Sequence, residues 1–301
     1  MKALIVGSSG QVGAALLASL QAHDVPAVGT FHSHPLPGGI ALDIRDRESV
    51  RRRFAETAPD IAFLTQNTPG GVDFCEKNPS EADAVLVQGT RNILDAAASL
   101  DVKVVFISSD YVFDGASGPY SEQDPPRPIS VYGRAKLAAE ELVLAHASGY
   151  LIIRTTAVFS WMPGTKNFAM QIWEKLRHGQ TIMVPNDQWC NPTLADYLAE
   201  ACIALAQAGD NGIYNVVGRD WMTRESMAGA LARTMALDPA LIRPVATSEL
   251  RQLAARPLKG GLKTDRLSAA LGSAPPDMTQ SLARFTEKFH ASAGTTGAHH
   301  V

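Results

Sequence analysis

Cysteine is scarce in this sequence, and there is no long apolar run. The 301 residues include three cysteines, Cys75, Cys190 and Cys202, which are widely spaced. Such a set suits neither a disulfide framework nor a zinc site, so we interpret all three as packing thiols of a protein from a reducing compartment. No apolar stretch approaches the roughly 20 residues that cross a bilayer, and the amino terminus lacks the charged region and cleavage site of a signal peptide. We therefore predict a cytoplasmic protein with no membrane partner and no metal site.

Charge of one sign is also in short supply. The formal net charge is −3, and the basic run Arg51–Arg53 stands in the stretch DIRDRESVRRRFAE, whose acidic residues balance it. This stretch is typical of the solvated face of a helix and gives no reason to expect a nucleic-acid partner. With 46% hydrophobic and 19% charged residues, the chain can form one sizeable core and a smaller lobe.

The first half of the chain alternates short runs rich in Val, Ile and Phe with longer stretches of helical periodicity, such as QVGAALLASLQAH and GTRNILDAAASL. This alternation predicts an α/β fold of the Rossmann type, a doubly wound parallel sheet covered by helices on both faces. After about residue 155 the alternation stops, and Trp, Pro and Asn become frequent. We predict a nucleotide-binding domain over 1–155, a smaller mixed α/β substrate lobe over 156–290 with segments around 190–218 returning to the first domain, and a flexible tail over 291–301.

A glycine-rich stretch, GSSGQVG, follows the first predicted strand, KALIV. It leads into a helix with one apolar face. Glycine at Gly7, Gly10 and Gly13 permits a sharp turn and a close approach of backbone to ligand. The amino terminus of the following helix offers free N–H groups to a pyrophosphate. Because the spacing lies between a strand and a helix, it predicts a dinucleotide site.

The second predicted strand lacks the acidic residue that usually binds the adenosine ribose. Its end reads GTFHSHP, so Thr30, His32 and Ser33 take that place, and Asp24 precedes the strand. These side chains suit a 2′-phosphate, although no arginine belongs to this strand end. The sequence therefore favours NADP(H) and leaves NAD(H) open.

The stretch YGRAK places Tyr132 and Lys136 four residues apart, on one face of a predicted helix and within about 6 Å of each other. An ordinary tyrosine titrates near 10, and a neighbouring ammonium favours its phenolate. Upstream, Ser108 and Ser109 end the buried strand VVFISS, where parallel sheets present their functional groups. A serine hydroxyl there can donate to a substrate carbonyl. Together these residues predict proton transfer to a ketone.

At this point the chain resembles a known family, the extended short-chain dehydrogenase/reductases that act on nucleotide sugars. The resemblance covers nearly the whole chain and rests on GSSGQVG, VDFCEKNPSEA, QGTRNILDAAA, VYGRAKLAAEE and NPTLADYLAE. Within the family, GQVG, SSDYVFDG and RPLKGGLKTDRL look most like the dTDP-4-dehydrorhamnose reductase branch.

The resemblance implies roles for individual residues. Ser109 would orient the carbonyl, Tyr132 would donate the proton and Lys136 would activate it. For the cofactor we predict Gly7, Gly10, Gln11, Val12, Gly13, Asp43, Ile44 and Thr65, together with Tyr132 and Lys136, the last on the nicotinamide ribose. For the substrate we predict Ser109, Asp110, Asn167, Asn191 and Arg256, the last as a clamp on a diphosphate.

This sequence departs from the family pattern at several positions. Leu86 replaces an asparagine that supports the catalytic helix, and Ala157 replaces a tryptophan that packs on the sugar in this branch. Trp161 could supply the ring that packs on the sugar, or it could lie in the core or a loop. Thr65–Asn67 stand where small alanines usually face the cofactor.

The function expected from the resemblance is the NADPH-dependent reduction of a nucleotide-linked 4-keto-6-deoxy sugar. Two alternatives remain. The first is a reductase or epimerase of another nucleotide sugar or ketone. The second is an NADP-binding regulatory subunit of the methionine adenosyltransferase type, which the later stretch NVVGRDWMTRESMAGAL also resembles. Homodimers are common in the family, although no stretch of this sequence defines an interface.

Overall fold

The computed structural model describes residues 1–146 and 149–296. Its main feature is a sheet of seven parallel strands in the order β11-β6-β5-β4-β1-β2-β3. The strands of the chain are β1 (Ala3–Val6), β2 (Ala27–Phe31), β3 (Ile40–Ala41), β4 (Ile61–Leu64), β5 (Lys103–Ser109), β6 (Tyr150–Thr155), β7 (Val158–Phe159), β8 (Ile182–Pro185), β9 (Trp189–Cys190), β10 (Thr193–Leu194), β11 (Gly212–Asn215), β12 (Met222–Thr223) and β13 (Ile242–Val245).

Helices cover both faces of this sheet and build the second lobe. They are α1 (Gln11–Ala22), α2 (Arg47–Thr57), α3 (Gly71–Lys77), α4 (Pro79–Asp83), α5 (Gly89–Ala98), α6 (Val131–Leu144), α7 (Phe168–Arg177), α8 (Ala195–Gln207), α9 (Arg224–Thr234), α10 (Asp265–Leu271) and α11 (Met278–Thr296). A π-helical turn spans Ala84–Gln88, and the 3₁₀ turns are Asp110–Val112, Pro239–Leu241 and Thr247–Leu250.

Alternation along the central strands sends neighbouring side chains into two separate cores. Ile5 and Phe63 pack with α1 and α8 on one face, whereas Leu4 and Phe106 pack with α2, α5 and α6 on the other. A parallel strand that is buried on both faces needs an unbroken apolar run, which explains ALIV in β1 and IAFL in β4. The predicted fold class is confirmed.

The smaller lobe is built from helices α7, α9 and α11 around a core that includes Phe159, Ile172 and Phe285. Three short strand pairs support it: β7 with β10, β8 with β13, and β9 with β12. Between β10 and β12 the chain returns to the large sheet. There α8 packs against α1, and β11 pairs with β6. The division at residue 155 stays a prediction.

The carboxyl-terminal helix is longer than the sequence suggested. The predicted tail starts at residue 291, whereas α11 continues to Thr296, and residues 297–301 lie outside the described residues. Within the described ranges, no helix combines the length and the apolar character that a bilayer crossing requires.

Candidate active site

The glycine turn lies between β1 and α1, at the carboxyl edge of the sheet. Gly7 has a φ of +85°, which favours glycine, and its carbonyl accepts a hydrogen bond from the Gly10 N–H at 3.1 Å. A Cβ on Gly13 would lie 2.5 Å from the Gly7 carbonyl oxygen, so no larger residue fits there. No side chain caps α1, which leaves its first N–H groups for a ligand. The turn therefore fits a dinucleotide pyrophosphate.

Thr30 and Thr65 stabilise this turn by hydrogen bonds to its backbone and to the end of β1. The Gly7 N–H donates to the Thr30 hydroxyl at 3.3 Å, and the Thr65 hydroxyl donates to the Val6 carbonyl at 2.8 Å. Thr30 is 1% exposed. Both threonines thus hold the turn in place, and their direct contact with a cofactor stays a prediction.

The ends of β2 and β3 lie side by side, which brings His32 and Asp43 together. The His32 Nε2 lies 3.6 Å from a carboxylate oxygen of Asp43. Ser33 is exposed and hydrogen-bonds to His34 at 3.0 Å. The Ile44 side chain is buried against Gly89 at the start of α5. These residues form the pocket where the resemblance places the adenosine.

Arg45 corrects two premises about this pocket. The end of β2 itself has neither an arginine nor a carboxylate, yet β3 brings both beside it: Arg45 donates to both Asp43 oxygens at 2.8 and 2.9 Å and lies 3.4 Å from His32. It also contacts Glu81 at 2.9 Å. The Arg45 guanidinium lowers the pKa of Asp43. That carboxylate is therefore ionised, and the guanidinium balances its negative charge. Sequence reasoning missed Arg45 because β3 was not predicted as a neighbour of β2.

The two serines at the end of β5 point in opposite directions. Ser108 donates to Glu140 at 2.5 Å, away from the site. The Ser109 hydroxyl lies 3.3 Å from a carboxylate oxygen of Asp110 and accepts from the Tyr111 N–H at 3.3 Å. Because side chains alternate along a strand, one of two adjacent serines faces the cleft, and the structure places Ser109 there.

Tyr132 lies in the first turn of α6, beside Ser109. Its ring meets the ring of Tyr111 edge to face, with 5.5 Å between centroids. Burial raises the pKa of Tyr132, and a hydrogen bond with Ser109 opposes the rise. The net shift is away from the phenolate because burial is its largest cause, and the role of Lys136 as activator of Tyr132 stays a prediction. A protonated phenol is the form that can donate a proton.

Lys136 lies one turn further along α6 and is 3% exposed. Its ammonium donates to the Ile107 carbonyl at 2.9 Å and lies 5.9 Å from the centroid of the Tyr132 ring. Burial lowers the pKa of Lys136 to about 8, although Glu140 acts in the opposite direction. The four-residue spacing therefore does bring Tyr132 and Lys136 together on one face of a helix.

Leu86 occupies the π-helical turn that packs against α6. It is 1% exposed and shares an apolar cluster with Tyr132, Ala135 and Cys75. Where the family pattern has a polar asparagine, this chain thus gives Tyr132 an apolar wall. All three cysteines are buried and unpaired, as the sequence predicted.

Asp110 and Asn191 both bind the backbone of the segment that leads to α10. Asp110 is 4% exposed, and one of its carboxylate oxygens accepts from the Gly261 N–H at 3.2 Å. Burial raises the pKa of Asp110. Asn191 accepts from the Leu262 N–H at 2.8 Å. Both side chains therefore position the Gly260–Leu262 segment, and their contact with substrate stays a prediction.

The other predicted substrate residues have partners within the protein. The Asn167 side chain caps α7 by accepting from the Met170 N–H at 3.2 Å and donates to the Ser160 carbonyl at 3.1 Å. Arg256 pairs with Asp73 at 2.8 Å. Trp161 packs in the aromatic cluster of α7 and α11, which favours the core alternative. This geometry gives no support to a substrate contact for Asn167.

Known proteins share this fold and these motifs. A family model described as the RmlD substrate binding domain matches residues 1–291. The chain belongs to this family. It is 32% identical over 98% of its length to a dTDP-4-dehydrorhamnose reductase from Streptomyces griseus, of which the match covers 95%.

Two further proteins are informative. A crystal structure of a dTDP-4-dehydrorhamnose reductase from Bacillus anthracis in complex with NADP superposes with a TM-score of 0.86 at 26% identity, covering 96% of this chain and all of that one. The methionine adenosyltransferase 2 subunit beta from Bos taurus is 28% identical over 88% of this chain and 81% of its own length. The extended reductase family inferred from the motifs is confirmed.

Proposed function

We propose that this protein is an NADPH-dependent reductase of a nucleotide-linked 4-keto-6-deoxy sugar. The observation that carries the proposal is the convergence of Ser109, Tyr132 and Lys136 at the end of β5. A protonated Tyr132 is buried beside a serine hydroxyl, and a lysine with a pKa of about 8 lies behind it. The relatives named as dTDP-4-dehydrorhamnose reductases support the substrate class.

The residues of this chain supply the proton side of the reaction. A reduced nicotinamide, once bound, would supply the hydride that the keto carbon receives. The carbonyl oxygen then gains negative charge, which the Ser109 and Tyr132 hydroxyls stabilise as donors. Tyr132 transfers its proton to that oxygen, and the Lys136 ammonium stabilises the phenolate that remains. Burial of the site strengthens each of these interactions.

The pocket at the ends of β2 and β3 favours NADPH. Arg45, His32 and Ser33 offer donors where the adenosine ribose is expected, and a planar guanidinium suits a phosphate. Asp43 would otherwise repel that phosphate, but Arg45 neutralises it. The sequence and the pocket thus point to the same cofactor.

The alternative, a regulatory subunit of the methionine adenosyltransferase type, has support from the similarity to subunit beta. A subunit that acts only by binding needs no assembled proton donor. The joint burial of Tyr132, Lys136 and Ser109 in one site therefore favours the reductase. A cytoplasmic location and a homodimer belong to the same proposal, and sedimentation of the purified chain tests the second.

The test is NADPH oxidation at 340 nm with a dTDP-4-keto-6-deoxy sugar generated in place by a dehydratase. NADH is run in parallel. Turnover with NADPH supports the proposal. Binding of NADPH without turnover on any 4-keto sugar overturns it, and capture of a methionine adenosyltransferase by the immobilised chain would then support the regulatory subunit.

A further inference from the structure

Arg224 is a cation of the substrate lobe to which the sequence motifs gave no role. It is the first residue of α9 and directly follows β12. The antiparallel pairing of β12 with β9 matches Thr223 with Trp189, and the Arg224 N–H donates to the Gln188 carbonyl at 2.9 Å. This pairing fixes the backbone of the arginine beside Gln188.

The Arg224 guanidinium lies over the Phe168 ring, 5.0 Å from its centroid. Phe168 begins α7 directly after Asn167, whose side-chain amide donates a hydrogen bond to the Ser160 carbonyl. The Ser160 hydroxyl in turn lies 3.3 Å from the Gln11 side chain, which follows the glycine turn. These contacts place Arg224 on the side of the lobe that faces the carboxyl edge of the sheet, where the glycine turn lies.

Asp110 and Tyr111 belong to the 3₁₀ turn that directly follows β5 at the carboxyl edge of the sheet. Burial raises the pKa of both groups, and the positive charge of Arg224 acts against that rise in each. Tyr111 in turn contacts Tyr132 edge to face.

The two arginines near Tyr111 differ in their partners. Arg256 is 9% exposed and is held by Asp73 at 2.8 Å, so one edge of its guanidinium is already bound. Arg224 is half-buried, and within residues 1–146 and 149–296 no carboxylate lies within salt-bridge distance of it. Asp110 does not pair with it directly, because its oxygens contact Gly261 and Ser109.

We infer that Arg224 binds the phosphate groups of the nucleotide-linked sugar and so selects this substrate class over neutral ketones. The inference rests on the proposed function. A half-buried guanidinium with free donors, held over an aromatic ring, suits an anion. A substrate whose keto group lies at Ser109 and Tyr132 would extend its phosphates past Tyr111 towards Arg224.

The experiment measures dTDP and NADPH binding by calorimetry for the full chain and for the variants Arg224→Gln and Arg224→Lys. Arg219→Gln is the matched control, since Arg219 lies shortly before β12 in the same lobe but pairs with Asp277 at 2.7 Å. Arg224→Gln should weaken dTDP binding by about 10- to 100-fold, and Arg224→Lys by less, because an ammonium keeps the charge but loses the fork. NADPH affinity should stay unchanged in all three.

Two results would overturn the inference. One is a dTDP affinity of Arg224→Gln that lies within twofold of the parent value. If Arg224→Gln does not fold, the same comparison is made with Arg224→Lys. The other is an equal loss of NADPH and dTDP affinity, which indicates a general structural role. With the keto sugar, we expect a raised KM at constant kcat.

These measurements also separate the inference from the proposed function. A parent protein that binds dTDP but reduces no 4-keto sugar overturns the function, and the dTDP comparison still decides the role of Arg224. A parent protein that turns over the sugar, with unchanged dTDP affinity in Arg224→Gln, overturns the inference alone.

Discussion

Glu140 and Arg154 form a buried ion pair beneath the candidate active site, with 2.7 Å between their charged atoms and exposures of 1% and 3%. Arg154 donates to both Glu140 oxygens, and Ser108 donates to one of them. Glu140 lies one helical turn after Lys136, and Arg154 is on β6 beside Ser108 on β5. The pair therefore fastens the catalytic helix to the strand that carries Ser109.

Replacement of Glu140 by alanine should destabilise the protein strongly. The change leaves the Arg154 charge buried without a partner, which costs about 3–5 kcal/mol. Urea unfolding measures the loss, and Glu141→Ala is the control because Glu141 is exposed on the same helix. A free energy of unfolding near that of the parent for Glu140→Ala would contradict the positioning role of this pair.

Tyr132→Phe should lower kcat by about two to four orders of magnitude, the usual range for loss of a general acid. NADPH affinity should stay close to that of the parent, because the ring and its packing remain. Tyr150→Phe is the control, since Tyr150 begins β6 at the opposite edge of the sheet. Comparable turnover in Tyr132→Phe and the parent protein would refute the mechanism.

The reductase should lose activity as the pH rises through about 8. Burial holds the pKa of Lys136 at about 8, so the ammonium that supports the phenolate is lost above that pH. Burial raises the pKa of Tyr132, so titration of Tyr132 does not cause this loss of activity at alkaline pH. The dependence of kcat/KM on pH, from about pH 6 to about pH 10, measures the effect. In Lys136→Arg the decrease at alkaline pH should disappear, because a guanidinium stays charged. A profile that is flat across this range in the parent protein would rule out this role.

The same group links stability to pH with a defined sign. The pKa of Lys136 falls from its ordinary value of 10.5 to about 8 in the folded protein. Between these values the unfolded chain binds more protons, so the Lys136 contribution to the free energy of unfolding increases with pH in this window. The penalty for burying the ammonium is fully present below a pH of about 8.

Arg45→Gln should reduce selectivity for NADPH. We expect kcat/KM with NADPH to fall by about 10- to 100-fold, the size of one charged contact to a phosphate, with little change for NADH. Arg47→Gln is the control, because Arg47 is exposed and pairs with Asp95 on α5, away from His32. An equal decrease with both cofactors would show that Arg45 holds the pocket in shape and does not contact the phosphate.

The sequence by itself determined the features that depend on local spacing. The strand-helix alternation set the parallel sheet, and the glycines of GSSGQVG required a tight turn before α1. Tyr132 and Lys136 share a helix face because four residues make about one turn. Ser109 was found because functional groups of a parallel sheet collect at the carboxyl ends of its strands. Each of these inferences spans only a few residues of chain.

The tertiary structure alone decided which distant side chains meet. Arg45 reaches His32 because β3 pairs with β2, and Arg256 is held by Asp73 across 183 positions of the sequence. Arg224 lies over Phe168, which is 56 positions earlier in the sequence, and the pairing of β12 with β9 fixes its backbone. Hydrogen-bond pairing and charge compensation act between neighbours in space, and no periodicity in the sequence records them. For that reason the juxtaposition of Tyr132 and Lys136 was predictable, whereas the partners of Arg45, Arg224 and Arg256 were not.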